Sequence, residues 1–132
     1  MKVLVDTSIW SLALRRKINI NNDDLNKLKS LILLNQVVMI GPVRQELLSG
    51  IANENDFDNL KNKLEAYKDF PITTNDYITA AQFFNNCRKQ GVQGSMIDFL
   101  ICAVAANNDM YIFTNDNDFY NFAEHIPIKL LG

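Results

Sequence analysis

Three short stretches constrain the fold more than anything else in the chain. Val3-Leu4-Val5, Val37-Val38-Met39-Ile40 and Met110-Tyr111-Ile112-Phe113 are apolar at every position, not at alternate ones. A strand with one wet face alternates apolar and polar side chains; a strand buried on both faces does not. Residues 2–6, 37–40 and 110–114 therefore read as strands of a sheet covered on both sides, with Ile128 to Leu131 as a last strand. Between them run helical patterns. Asp23 to Leu34 starts acidic and places Leu25, Leu28, Leu31 and Ile32 on one face. Gly41-Pro42 stops the second strand and opens a helix carrying Val43, Glu46, Leu47 and Leu48, which weakens at Gly50. Phe57 to Asp69 is helical in period, and Phe70-Pro71-Ile72 is extended. A long helix runs from about Asp76 to Gln90 behind the capping sequence Thr73-Thr74-Asn75-Asp76. Ser95 opens another, and Asp118 to Ala123 reads as a short one. Strands alternating with helices over 132 residues predict one domain, residues 1–132. The expected class is α/β: a three-layer α/β/α sandwich with a short parallel sheet.

Composition narrows the chemistry. Cys87 and Cys102 show no CxxC spacing, and His125 is the one histidine in the chain. That argues against a zinc site and against a disulfide framework, and points to a reducing, cytoplasmic setting. Met1-Lys2 followed by only three apolar residues does not resemble a secretory leader. The longest apolar run, Phe99 to Ala106, falls far short of the roughly 20 residues that a membrane span needs.

What remains unexplained is a set of carboxylates. In parallel α/β sheets ligands bind beyond the carboxyl ends of the strands, and Asp6 follows the first strand directly. Glu46 comes about one helical turn after the second strand, past the capping-box position, so helix capping does not account for it; a solvated helix charge is the other reading. Asp98 begins an almost wholly apolar helix, Ser95-Met96-Ile97-Asp98-Phe99-Leu100-Ile101-Cys102, of the kind that is buried. A carboxylate there is either a first-turn charge facing the helix dipole or a group held out of water for a purpose, needing a partner or a cation. Asp116 and Asp118 follow the third strand, where Asp often caps the next helix. One of the two can cap while the other faces the site, and position favours Asp116 for the site.

If Asp6, Glu46, Asp98 and Asp116 converge, their mutual repulsion calls for a hard divalent cation, and oxygen-only ligands suit Mg²⁺ or Mn²⁺. Asp6, Asp98 and Asp116 would be its ligands, with Thr7 or Ser8 hydrogen-bonding the carboxylates or bound water. A turn hydroxyl bonding its own backbone is the alternative for both.

Four stretches together, Val3-Leu4-Val5-Asp6-Thr7-Ser8-Ile9-Trp10, Gly41 to Gly50, Arg88 to Ala105 and Ile112 to Phe119, resemble the PIN-domain nucleases, and in particular the VapC-type toxins of bacterial toxin–antitoxin pairs. They occur in that family's order over the whole chain. The resemblance implies a compact α/β/α domain and metal-dependent endoribonuclease activity that leaves 5′-phosphate and 3′-hydroxyl ends. It further implies a small antitoxin partner and a homodimer. By motif, Asp6, Glu46, Asp98 and Asp116 would be the catalytic acidic set, Asp118 an accessory carboxylate, and Ser8 and Thr114 supporting hydroxyls.

A formal net charge of −2 is unusual for a protein acting on RNA. Placing five of the 15 acidic residues in a metal site leaves 13 basic against 10 acidic elsewhere. Arg44 is the first choice for a phosphate contact, followed by Arg15 and Arg16, with Lys17, Arg88 and Lys89 behind them. The helices at 23–34 and 57–69 either form an apolar groove for an antitoxin helix or cover the sheet. Other readings keep the fold and change the role: an RNA-processing nuclease, or a PIN-like scaffold without catalysis. A receiver-type phosphoacceptor domain is disfavoured, because the second strand ends in Gly-Pro and no acidic pair follows the first. A phosphatase with a DxD motif is disfavoured by Asp6-Thr7-Ser8.

Overall fold

The computed structural model describes residues 1–14 and 22–132. Its centre is a parallel sheet of four strands, β1 (Val3–Val5), β2 (Val37–Val38), β3 (Tyr111–Phe113) and β4 (Lys129–Leu130), in the order β2-β1-β3-β4. Register runs Val3 to Val37 on one side of β1, and Val3 to Tyr111 and Val5 to Phe113 on the other. Val3, Leu4 and Val5 are 0% exposed, as uniformly apolar strands require. The chain leaves β1 toward β2, then returns to form β3 on the other side of β1. Right-handed crossovers in opposite directions send the connecting helices to opposite faces, which makes the three-layer α/β/α sandwich.

The helices are α1 (Thr7–Leu14), α2 (Asp23–Leu33), α3 (Gly41–Leu48), α4 (Glu54–Leu64), α5 (Thr74–Lys89), α6 (Met96–Asn107) and α7 (Asp118–Ala123). The first is absent from the sequence reading. Its residues, Thr7-Ser8-Ile9-Trp10-Ser11-Leu12-Ala13-Leu14, carry no charge in the first or last turn to mark its ends. Its start is set by the Asp6 carbonyl, which accepts from the Ile9 and Trp10 N–H groups at 3.1 and 3.3 Å.

The strand expected over residues 37–40 closes after Val38. Met39 bridges to Asp69 instead, and Ile40 is already the residue before α3. The helix expected over 57–69 is shifted to 54–64. Asn53 caps it, accepting the Asp56 N–H at 3.0 Å, so it starts before its first apolar residue. It ends early because the following chain is drawn to the sheet edge: the Phe70 N–H donates to the Met39 carbonyl at 2.7 Å.

Arg44 holds that early end in place. Its Nε donates to Asp69 Oδ1 at 2.9 Å, one terminal nitrogen to the Leu64 carbonyl at 3.0 Å and the other to the Tyr67 carbonyl. The guanidinium fork adds a second donor to the Leu64 carbonyl, which also accepts the Tyr67 N–H at 3.0 Å, supplies one to the Tyr67 carbonyl, and ties α3 to the turn beyond α4. Arg44, the first choice for a phosphate contact, thus has three of its donors engaged inside the fold. Arg44→Met keeps the aliphatic stem, removes all three hydrogen bonds and leaves the Tyr67 carbonyl without its donor, while the Leu64 carbonyl keeps the Tyr67 N–H; it is expected to cost about 2 kcal/mol. Asp69→Asn removes only a surface ion pair and is expected to cost well under 1 kcal/mol. Urea midpoints of the two variants check the ranking, and equal losses would count against it.

Candidate active site

The sheet order places a topological switch between β1 and β3, where connections depart in opposite directions and α/β folds open a crevice at the strands' carboxyl ends. Asp6 and Thr114 lie there side by side. The Asp6 N–H donates to the Phe113 carbonyl at 2.9 Å, continuing the β1–β3 ladder one step past the strands. Thr114 Oγ1 donates to Asp6 Oδ2 at 2.8 Å, and Ser8 Oγ donates to the same oxygen at 2.7 Å. Each hydroxyl also accepts a backbone N–H from the β3–α7 loop: Ser8 from Asn115 at 3.2 Å, Thr114 from Asp116 at 3.0 Å. A hydroxyl has one proton to give, so both point theirs at Asp6. Two loop N–H groups are thereby relayed, through two hydroxyls, onto one carboxylate oxygen. Asp6 is 5% exposed, and its other oxygen accepts no hydrogen bond from the described residues. Thr7 takes no part: its hydroxyl is buried without a partner.

Asp116 Oδ1 accepts the Asp118 N–H at 2.9 Å. Of the two loop acids it is thus Asp116 that shapes the turn into α7, with one oxygen, while Asp118 is exposed. Asp116 Oδ2 accepts nothing from the described residues.

Asp98 is the third residue of α6, in a reciprocal cap with Ser95. The Asp98 N–H donates to Ser95 Oγ at 3.1 Å, and the Ser95 N–H to Asp98 Oδ2 at 3.2 Å. The helix-cap reading of Asp98 is therefore correct as far as it goes. Its electrostatics go further. Burial pushes the Asp98 carboxyl above the usual carboxylate range, hydrogen bonding with Ser95 pulls it part-way back, and the charges of Asp6 and Asp116 push it up again. Three carboxylates from three elements thus feel one another. Beneath them, burial first and then Asp98 push the Cys102 thiol well up, so it stays neutral and protonated.

A second, matching cap shows what a structural carboxylate looks like here. Asp76, 2% exposed, accepts the Thr73 N–H at 2.9 Å on Oδ2 and the Asn107 amide at 2.9 Å on Oδ1. Both oxygens are engaged. Sequence reasoning passed over Asp76, because a capping pattern does not reveal burial.

Glu46 is the sixth residue of α3 and is exposed, with no hydrogen bond among the described residues. It leaves the end of β2, beside β1, on the carboxyl side of the sheet. Arg88 and Lys89 are exposed at the end of α5. Arg15, Arg16 and Lys17 lie outside the described residues.

In kind, the donors suit a hard cation: they are oxygen-only and anionic, and the charges of Asp6 and Asp116 reach Asp98. In spacing, no three His, Cys, Asp or Glu side chains among the described residues stand close enough to hold an ion as they are.

The family model for the PIN domain matches residues 3–125. The chain belongs to the PIN-domain family. No curated protein matches it in sequence. Among solved structures, FitAcB from Neisseria gonorrhoeae is similar at 22% identity and TM-score 0.78, covering 98% of this chain and 96% of that one. VapBC2 from Rickettsia felis, bound to a DNA fragment from their promoter, gives 18% identity and TM-score 0.78, over 99% and 98%. VapBC-5 from Mycobacterium tuberculosis, a member of the VapBC family of toxin–antitoxin systems, gives 17% and 0.71, over 99% and 98%. At these identities the likeness establishes the shared PIN fold along the whole chain. Among the described residues no helix is long and apolar enough to cross a membrane.

In this PIN domain the raised Asp98 fixes the sign of a pH effect. A carboxyl whose folded pKa lies above its unfolded value costs stability once ionised, and that cost fades as pH falls through the folded pKa. Asp98→Asn keeps an acceptor for the Ser95 N–H and removes the charge. It is expected to raise the melting temperature at pH 7, with the gain shrinking toward about pH 4. Thermal melts across that range check it; a variant less stable than the parent at pH 7 would mean that the capping charge outweighs the repulsion.

Proposed function

We propose that this PIN domain is a divalent-metal-dependent endoribonuclease, the toxin of a toxin–antitoxin pair. The observation that carries the reading is that Asp98, on α6, feels the charges of both Asp6 and Asp116, which follow the adjacent strands β1 and β3. In the proposal these three hold Mg²⁺ or Mn²⁺, and Glu46 joins them from α3 as the fourth member of the catalytic set. The ion would supply an acidified water and neutralise charge on the phosphate oxygens. The chain's own groups do the rest. Ser8 and Thr114 hold Asp6 by Oδ2 and leave Oδ1 without a bond from the described residues, and Asp116 shapes the turn into α7. Asp118 lies beside Asp116 as an accessory carboxylate. The neutral Cys102 keeps the donor set to oxygen. Cleavage leaves 5′-phosphate and 3′-hydroxyl ends. Arg44 is spent elsewhere, so the exposed Arg88 and Lys89 take its place as candidate phosphate contacts.

The toxin role, a small antitoxin partner, a homodimer and a cytoplasmic setting extend from likeness to the VapBC structures, whose own description names toxin–antitoxin systems. For an antitoxin helix, α2 packs on α1, α1 on α3 and α3 on α4. The two helices once read as a paired groove are thus the outer members of a row of four. The spacing of the carboxylates favours a second reading, a PIN scaffold without catalysis.

One experiment separates them. Purified protein is incubated with mixed cellular RNA in the presence of Mn²⁺ or a chelator, beside Asp6→Ala. Cutting that needs the metal and is lost in the variant is the expected result. Millimolar Mn²⁺ is expected to raise the melting temperature of the parent and not of the variant, since an ion that binds only the folded state stabilises it. Neither cutting nor a thermal shift would leave the scaffold reading.

A further inference from the structure

The turn that launches Asp98 is packed unusually tightly. A Cβ placed on Gly94 would lie 2.5 Å from Phe122 Cζ, 3.0 Å from Phe122 Cε1 and 3.0 Å from Phe99 Cε2. Neither ring has room to retreat: Phe122 is 0% and Phe99 1% exposed. Gly50 and Gly91 have positive φ, whereas Gly94 does not. Glycine at 94 thus answers a lack of space, not a backbone conformation.

The ring it admits belongs to an aromatic cluster that joins the two carboxylate-bearing segments. Phe99, next to Asp98 on α6, lies 4.8 Å from Phe122, and Phe122 lies 5.3 Å from Phe119, both on α7. Phe84 on α5 closes the far side, 5.6 Å from Phe99. Phe119 is three residues beyond Asp116, and its N–H donates to the Asp116 carbonyl at 3.2 Å. The thickness of this cluster therefore determines how far the start of α6 stands from the β3–α7 loop.

We propose that Gly94 is a positioning residue for the acidic site: its bare Cα lets the edge of Phe122 seat against the turn before α6, and that contact sets the gap between Asp98 and Asp116. For its effect on the metal this rests on the reading above. The geometric part stands by itself.

A methyl group at 94 pushes the Ser95–Asp98 turn away from α7, and shortening Phe122 gives the space back. Mn²⁺ affinity, measured by titration calorimetry, is expected to fall about 10-fold or more in Gly94→Ala, the scale seen when groups that orient metal ligands are altered. In the double variant Gly94→Ala/Phe122→Leu it should recover to within about threefold, because the two changes act through one contact. Ala105→Val, at a fully buried position farther along α6, is the control for plain overpacking. It should lower the melting temperature without moving Mn²⁺ affinity. Gly94→Ala with parental affinity, or a double variant with no recovery, overturns the proposal. If Gly94→Ala does not fold, Phe122→Leu alone decides: a changed Mn²⁺ affinity supports the contact's role and an unchanged one overturns it. If the parent binds no Mn²⁺, the metal reading fails and crystal structures of the parent and Gly94→Ala decide the geometry. A widened Asp98–Asp116 gap sustains the proposal, and an unchanged gap overturns it.

Discussion

Everything at the active end of the sheet hangs on one carboxylate oxygen. Asp6 Oδ2 accepts a hydrogen bond from Ser8, one residue into α1, and another from Thr114, at the end of β3. Behind those hydroxyls stand the Asn115 and Asp116 N–H groups. The end of β1, the start of α1 and the loop after β3 are thereby bound into one unit at the place where the fold would otherwise part. A group 5% exposed with only one oxygen satisfied in this way has its orientation determined. Hydrogen bonds to a charged group contribute about 1.5–3 kcal/mol each, large beside the 5–15 kcal/mol that separates a typical domain from its unfolded state. The arrangement resembles an N-cap turned round: the carboxylate does not receive the helix's own N–H groups, and the hydroxyls that a cap would use serve it instead.

That inversion explains what was readable in the sequence and what was not. Strands buried on both faces announce themselves by uniform apolarity, and a carboxylate directly after such a strand has few structural uses. The parallel sheet was therefore legible, and Asp98 stood out as a carboxylate in an apolar helix, whereas Asp6 and Asp116 gained weight only together with the others. Ser8 was legible as a hydroxyl near Asp6 and Thr114 only through the family resemblance, and which of Thr7 and Ser8 turns toward Asp6 depends on the phase of a helix that has no sequence boundary. The limits of α4 were hidden for a different reason. Its end is determined by the pull of the Phe70 backbone on the edge strand and by the Arg44 fork, which spans 20 residues to the Leu64 carbonyl. Long-range contacts of that sort leave no local pattern, and nothing near Arg44 in the sequence announces its bonds to residues 64–69.

The two reciprocal caps make the same point more sharply. Thr73-Thr74-Asn75-Asp76 and Ser95-Met96-Ile97-Asp98 have one pattern, a hydroxyl followed three residues later by an Asp, and both form the same local bonds. One carboxylate is closed off by Asn107, a partner 31 residues distant. The other meets the charges of Asp6 and Asp116. Local chemistry accounts for the bonds that Asp98 makes to Ser95, and only the tertiary fold decides whether the remaining charge has company. Gly94 belongs with these: nothing about a glycine before a helix says that a buried ring 28 residues later rests on it.

A cap has a further consequence for a carboxylate held among like charges. Left to repulsion alone, Asp98 would swing toward solvent, since a side chain at a helix start has the room. The Ser95 N–H holds it by Oδ2 over a rather long 3.2 Å bond, and the helix dipole favours an anion in the first turn. Both forces act on the charged form and neither requires a second carboxylate to be distant. Burial and the neighbouring charges act the other way and win, since the carboxyl is raised. The domain therefore keeps a charge in place at a net cost, which is the reverse of what selection for stability alone would leave there. The cap makes that tolerable by supplying, from the residue's own helix, part of the stabilisation that a cation would complete. It also ties the side chain to Ser95 at the root of α6, next to Gly94, against which the Phe122 ring is closely packed.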